Sequence, residues 1–152
     1  MIKIKKSQTA DTRSCDYQEV TKEQLLESSQ QHIKDVGLAL AFFQGLITQA
    51  ASEHDYDKLT GIDWFHSDFQ TGFKETGWWD NHRIIHRHHL GQEDGVPHDV
   101  NLIDVLEYIA DCVMAGMART GEVYDLTLLP GLLEEAFRNT VEMLKNEVEV
   151  AE

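Results

Sequence analysis

Basic side chains are scarce in this chain. Its 152 residues include 13 Lys and Arg against 27 Asp and Glu, which gives a formal net charge of -14. A surface of this sign repels the phosphate backbone of a nucleic acid, so we expect no binding to duplex DNA or RNA. A small phosphate ester is not excluded, because a bound cation would set the local field at its site.

Cysteine and long apolar runs are scarce as well. Cys15 and Cys112 are the only cysteines, which excludes a disulfide framework and a cysteine-based zinc site. Cys112 lies in an apolar helical run, where we expect it to be buried and reduced. No apolar segment predicts a signal peptide or a membrane span. We therefore expect a cytoplasmic protein, in its own cell or in a host cell.

The alternating patterns of β-strands are nearly absent, which predicts an all-α fold. With 41% hydrophobic residues, the chain is apolar enough and long enough for one domain with a real core. We predict a polar N-terminal arm over residues 1–20, in which Ile2 and Ile4 alternate with lysines and could form a short edge strand. Residues 21–152 are predicted to form a single helical domain.

The first and last helices carry clear start signals. Thr21–Gln24 has the spacing of a capping box, and it predicts a helix to about Ala51 with His32 on the core-facing apolar stripe. Pro130 is suited to the first turn of the last helix. That helix is predicted to extend through Val148, and its apolar stripe could form the seam of a homodimer.

Imidazole and carboxylate side chains recur along the chain in an order typical of a site for divalent transition metals. Neutral imidazole together with carboxylate suits Mn, Fe, Co, Ni or Zn, and the number of residues allows one or two ions. The candidate ligands are His32, His54, Asp55, His82, His86, His88, His89 and Asp111.

Two arrangements of the central histidines remain open. If a helix capped by Asp80 continues through the cluster, then His82, His86 and His89 recur at i, i+4 and i+7 and share one face. Adjacent residues on a helix diverge by about 100 degrees. His88 and His89 can therefore reach one site together only if the helix ends there.

Another helix is predicted downstream, with Asp99 as its cap. Asp104 and Asp111 lie at i and i+7 on it, so both carboxylates are expected to point the same way. Asp111 lies among apolar neighbours, where a buried carboxylate needs a partner. Asp104 could orient a ligand histidine from behind or act as a general base.

The ordered set resembles the HD-domain metal-dependent phosphohydrolase superfamily. Its extended pattern, H…HDxxK…H…HH…D, is matched by His32, by the run 54–58 with its Lys58, by His82 or His86, by the pair 88–89 and by Asp111. The HD-GYP branch is similar, but here Asp57 replaces a glycine and no GYP follows His89. A small helical family of phages and bacteria, with an HDxSK-like run and a paired HH, is a better match. The resemblance covers about residues 21–120.

The resemblance implies an HD-domain-like helical bundle that binds one or more divalent metals between its helices. It implies hydrolysis of a nucleotide or another small phosphate ester, in the cytoplasm of the encoding cell or of a phage-infected host. A metal-bound water loses its proton near neutral pH and becomes a nucleophile. Lys58 is expected to hold a phosphate oxygen as a point charge, with Asp104 as the second catalytic candidate.

Two other classes of function remain open. One is a non-catalytic phage accessory or inhibitor protein whose HD-like site binds metal for stability or sequesters a ligand. The other is a di-iron oxygenase, because a mixed-valent di-iron site can use the same ligands. Turnover of phosphate esters separates the first class from hydrolysis, and oxygen consumption with iron separates the second.

Overall fold

A computed structural model of the protein describes residues 1–7 and 17–151. The predicted all-α fold is confirmed, since these residues are mostly helical and their strands form only a small two-stranded sheet. In chain order the elements are β1 Ile2–Lys5, α1 Lys22–Glu53, α2 Tyr56–Thr60, α3 Ile62–Gln70, α4 Trp78–Ile85, a 3₁₀ turn Glu93–Gly95, α5 Leu102–Thr120, α6 Leu132–Glu147 and β2 Val148–Ala151.

The chain divides into two compact units, Met1–Gly45 with Glu142–Glu152, and Leu46–Val141. The predicted arm and single domain, with their boundary at residue 20, stay predictions, and part of the arm lies outside the described residues. None of the described helices is long and apolar enough to cross a membrane.

In the first unit, β1 and β2 pair in parallel with Ile2 opposite Val148. The expected short strand at Ile2 and Ile4 is confirmed. The predicted extension of the last helix through Val148 is wrong, because α6 ends at Glu147 and Val148 begins β2. The backbone of Val148 pairs with β1, and helical periodicity alone does not predict such pairing.

The capping box at the start of α1 is confirmed. Thr21 N donates to Gln24 Oε1 at 2.9 Å, and Gln24 N donates to Thr21 Oγ1 at 3.2 Å. His32 lies on this helix, but it is exposed rather than core-facing. Its side chain lines a surface cavity of the first unit together with residues of β1 and β2.

The second unit has a small apolar core formed by Leu90, Val100, Val105, Leu132 and Ala136. Cys112 is also buried and has a free thiol, as expected. Side chains of α5, of α6 and of the irregular segment after α4 pack against one another in this core.

The predicted cap of α5 at Asp99 is wrong. Asn101 is the cap: its side chain accepts from Ile103 N at 2.9 Å, and Asp104 Oδ2 accepts from Asn101 N at 2.8 Å. Asp99 instead accepts from Arg87 Nη1 at 2.9 Å. The helix begins two residues later than expected because Asn101 and Asp104 satisfy its first free N–H groups reciprocally.

The helix that could have carried His82, His86 and His89 on one face ends before His86. Gly77, not Asp80, precedes its first residue, and its last residue is Ile85. His86 is already extended, with φ −102 and ψ 122. The following segment turns inward and fully buries Leu90 in the core. The structure thus has the arrangement in which the helix ends before His88.

Candidate metal centre

Asp55 lies in a turn between α1 and α2. Its backbone is left-handed, with φ 53 and ψ 24, a conformation that costs an L-residue other than glycine about 1 kcal/mol. The turn places Asp55 outside the helix that precedes it. Strain of this kind is often found at functional sites.

Asp55 forms one compact group with His82, His88 and His89. One ligand atom from each residue lies within 4.8 Å of all the others. Asp55 Oδ1 is 3.4 Å from His82 Nε2 and 3.5 Å from His88 Nε2. Ligands held at 2.0–2.2 Å around a tetrahedral metal are separated by roughly 3.3–3.6 Å. The separations of Asp55 Oδ1 from His82 Nε2 and from His88 Nε2 therefore fit a tetrahedral metal site.

Each of these four residues has a buried polar atom that lacks a hydrogen-bond partner within the described part of the chain. These atoms are Asp55 Oδ1, His82 Nε2, His88 Nε2 and His89 Nε2. Each unsatisfied buried polar group costs about 1–3 kcal/mol. A divalent cation would provide all four atoms with one partner, so these residues fit a metal ion.

In His82, in His88 and in the nearby His54, the Nδ1 atom faces a carboxylate. His82 Nδ1 lies 2.9 Å from Asp57 Oδ2, and His54 Nδ1 lies 2.8 Å from Glu107 Oε1. His88 Nδ1 is 2.9 Å from that same Glu107 oxygen, although it is not in line for a hydrogen bond. The carboxylates that bond His82 and His54 hold the proton on Nδ1 and leave the Nε2 lone pair free, as in most histidines that bind metal.

The ionisation of the group also suits metal binding. Burial lowers the pKa of His82, and it lowers the pKa of His89 to about 3, so both rings are neutral at pH 7. Burial by itself would raise the pKa of Asp55, but the hydrogen bond and the charge of Lys58 bring it below its ordinary value. Neutral imidazoles therefore surround an ionised carboxylate.

A second group shares Asp55 and consists of His54, Asp55 and Asp111. His54 Nε2 lies 3.5 Å from Asp55 Oδ2 and 3.8 Å from Asp111 Oδ1. The two oxygens of Asp55 thus face different groups, which is the arrangement of a bridging carboxylate. Lys58 donates to Asp55 Oδ2, the oxygen that faces this second group. The side chains of His54 and Asp111 are 31% and 32% exposed, so this position is open to solvent.

The remaining groups overlap with these two. Asp57, His82 and His86 form one of them, in which His86 Nε2 lies 2.8 Å from Asp57 Oδ1. His54, His88 and Glu107 form the other. Asp57 and Glu107 each receive two histidine rings, so we interpret them as the carboxylates that orient the ligands.

Most of the predicted ligands are brought together. His54, Asp55, His82, His86, His88, His89 and Asp111 all occur in the groups described above. His32 lies in the first unit, and among residues 1–7 and 17–151 no such group includes it. Its role as a ligand stays a prediction.

Asp104 has structural partners. Its two oxygens accept from Arg87 at 2.8 and 2.9 Å, and one of them also caps α5. Its predicted catalytic role stays a prediction. The acid that faces the histidines on the same helix as Asp111 is Glu107, which is not among the predicted site residues. Its i, i+4 spacing to Asp111 was the available signal.

Comparisons with known proteins find no match. No family model, no curated protein and no solved structure is similar to this chain. The structure alone shows a mostly helical protein whose buried His and Asp groups could hold a metal ion.

Proposed function

We propose that the protein is a metal-dependent phosphohydrolase of the HD type that acts on a nucleotide or another small phosphate ester. The observation that carries the proposal is the grouping of Asp55 with three histidines, in which each of the four residues has a buried polar atom without a partner among the described residues. Asp55 is the aspartate of the HD dipeptide. The resemblance of the ordered His and Asp set to that superfamily supplies the reaction class.

A divalent ion held by these residues would supply a nucleophilic water at neutral pH and would neutralise charge on the phosphate. The chain's own residues would do the rest. His54 and Asp111 are partly exposed and lie where a substrate can reach them. The ammonium of Lys58, beside Asp55, would hold a phosphate oxygen as a point charge.

A non-catalytic metal site is the second candidate, and a specific observation favours it. The group of Asp55, His82, His88 and His89 already offers four protein ligands. The side chains of His82 and His88 are 0% and 1% exposed. Structural zinc sites are closed in this way, whereas catalytic sites keep one position open. The metal in the first group would then stabilise the fold, as expected for an accessory or inhibitor protein.

The test is release of phosphate by the full chain after loading with Mn, Fe, Co, Ni or Zn. The substrates are mononucleotides, cyclic nucleotides and sugar phosphates. We expect turnover of at least one substrate, which Asp55→Ala abolishes together with metal binding. Lys58→Ala should retain the metal and lose turnover, because an ammonium cannot be a ligand. Asp63→Ala, which removes an exposed carboxylate from α3, is the control and should match wild type.

Two outcomes would refute the proposal, and each would support a different function. A metal-loaded protein that leaves all these esters untouched would support the non-catalytic site. Oxygen consumption that depends on iron would instead support the di-iron oxygenase.

A further inference from the structure

A cavity of about 540 Å³ lies in the second unit between the last turns of α1 and the face of α5. This volume is within the usual range of small-molecule sites. Four alanines, Ala50, Ala51, Ala110 and Ala115, line it and leave the space open.

The wall of this cavity is largely apolar. Ile47, Ile103, Leu106 and Met114 provide most of the remaining lining, and no Lys or Arg of the described chain contributes to it. Along the apolar part of the wall, a charged or strongly hydrated group would lose water without gaining a partner. An apolar group would gain about 25 cal/mol for each Å² that it buries. The chemistry of the wall therefore selects an uncharged, apolar occupant.

The polar part of the wall is supplied by the candidate metal centre. His54, Glu107 and Asp111 are the three ionisable side chains that line the cavity. His54 and Asp111 belong to the open group that shares Asp55, and Glu107 orients His54. The cavity is thus continuous with the open side of the site.

We propose that this cavity binds the organic part of a phosphate monoester, and that this part is an uncharged aromatic or branched aliphatic group. The phosphate would lie toward His54 and Asp111. This inference rests on the proposed function for the phosphate end alone. The complementarity of the apolar end depends only on the wall.

The test is calorimetric titration of the metal-loaded full chain with phosphonates, which are not hydrolysed. Inorganic phosphate and methylphosphonate report on the phosphate end, and phenylphosphonate adds an apolar ring. We expect phenylphosphonate to bind on the order of tenfold tighter than methylphosphonate, or more, because the ring is buried in the cavity.

A matched pair of variants locates the effect. Ala110→Leu should fill the cavity and remove most of the advantage of the phenyl group. Ala118→Leu makes the same change two turns further along α5, at an exposed position outside the cavity, and should preserve that advantage. Ala50→Leu fills the cavity from α1 and replaces Ala110→Leu if that variant does not fold.

Equal affinities for methylphosphonate and phenylphosphonate, or the absence of binding by both, would overturn the inference. So would a phenyl advantage that survives both filling variants. If Ala110→Leu changes the sedimentation of the chain and Ala118→Leu does not, the cavity is an interface between two copies, and the inference is overturned as well. Failure of the proposed function is distinguishable, because it removes turnover and leaves the difference between the phosphonates intact.

Discussion

Asp57 is the residue whose replacement tests the architecture of the site most sharply. Its Oδ1 lies 3.0 Å from His82 Nδ1 and 2.8 Å from His86 Nε2, and all three residues are buried. The hydrogen bonds from these two histidines bring the pKa of Asp57 below its ordinary value, although burial by itself would raise it. The carboxylate therefore fixes the rotation of His82 and presents Nε2 to Asp55.

Asp57→Ala removes the acceptor of two buried ring nitrogens. Each unsatisfied nitrogen costs about 1–3 kcal/mol, so the metal-free protein should lose roughly 2–6 kcal/mol of unfolding free energy. Loss of a carboxylate behind a ligand histidine lowers metal affinity by about 10–100-fold. Asp57→Asn keeps an oxygen where Oδ1 lies and should lose less of both quantities.

The assay is competition for the metal with a chelating dye, combined with urea denaturation of the metal-free protein. Asp63→Ala, at an exposed carboxylate of α3, is the matched control and should match wild type in both. If Asp57→Ala retains the metal affinity of wild type, His82 is not a ligand oriented by Asp57, and this account of the centre is wrong.

Three further predictions concern the same site. His54→Ala should lower the metal content per chain while Lys58→Ala leaves it unchanged, which elemental analysis after metal loading measures; equal losses would contradict the assigned roles. Gly95→Ala should weaken metal binding in a titration, because its Cβ would overlap the carbonyl oxygen of His89. Gly91→Ala, whose Cβ would lie at an ordinary 3.6 Å from its nearest neighbour, should bind normally. The pKa of His89 falls from 6.5 to about 3 on folding, so the unfolded chain binds more protons between these values. The unfolding free energy of the metal-free protein should thus be constant above pH 6.5 and fall below it by about 1.4 kcal/mol per pH unit for this histidine. Greater stability at pH 5.5 than at pH 7.5 in urea denaturation would refute this.

Features set by neighbouring residues could be predicted from the sequence. The capping box at Thr21 and Gln24 and the helical character of the chain depend on local spacing, and both are confirmed. The cap of α5 was placed two residues early, because Asp99 and Asn101 have similar local preferences. The reciprocal bonds of Asn101 and Asp104 with the first turn of the helix decided between them.

Features set by distant contacts could not be predicted. The spacing of His82, His86 and His89 fits a helix, but burial of Leu90 in the core takes the chain out of the helix at His86. Asp57 meets a histidine 25 residues away, and no periodicity reports such a contact. Glu107 contacts His54, which lies 53 residues earlier in the chain, and no periodicity reports this contact either.

Anomalous X-ray diffraction from crystals loaded with Zn²⁺ or Mn²⁺ tests the central claim most directly. We predict a peak about 2.0–2.2 Å from Asp55 Oδ1, His82 Nε2 and His88 Nε2, with His89 beside it. A second, weaker peak between His54 and Asp111 would mark the open position. Density elsewhere on the protein alone, or no peak from a chain that also fails to bind these ions in solution, would contradict the assignment of a metal centre to these residues.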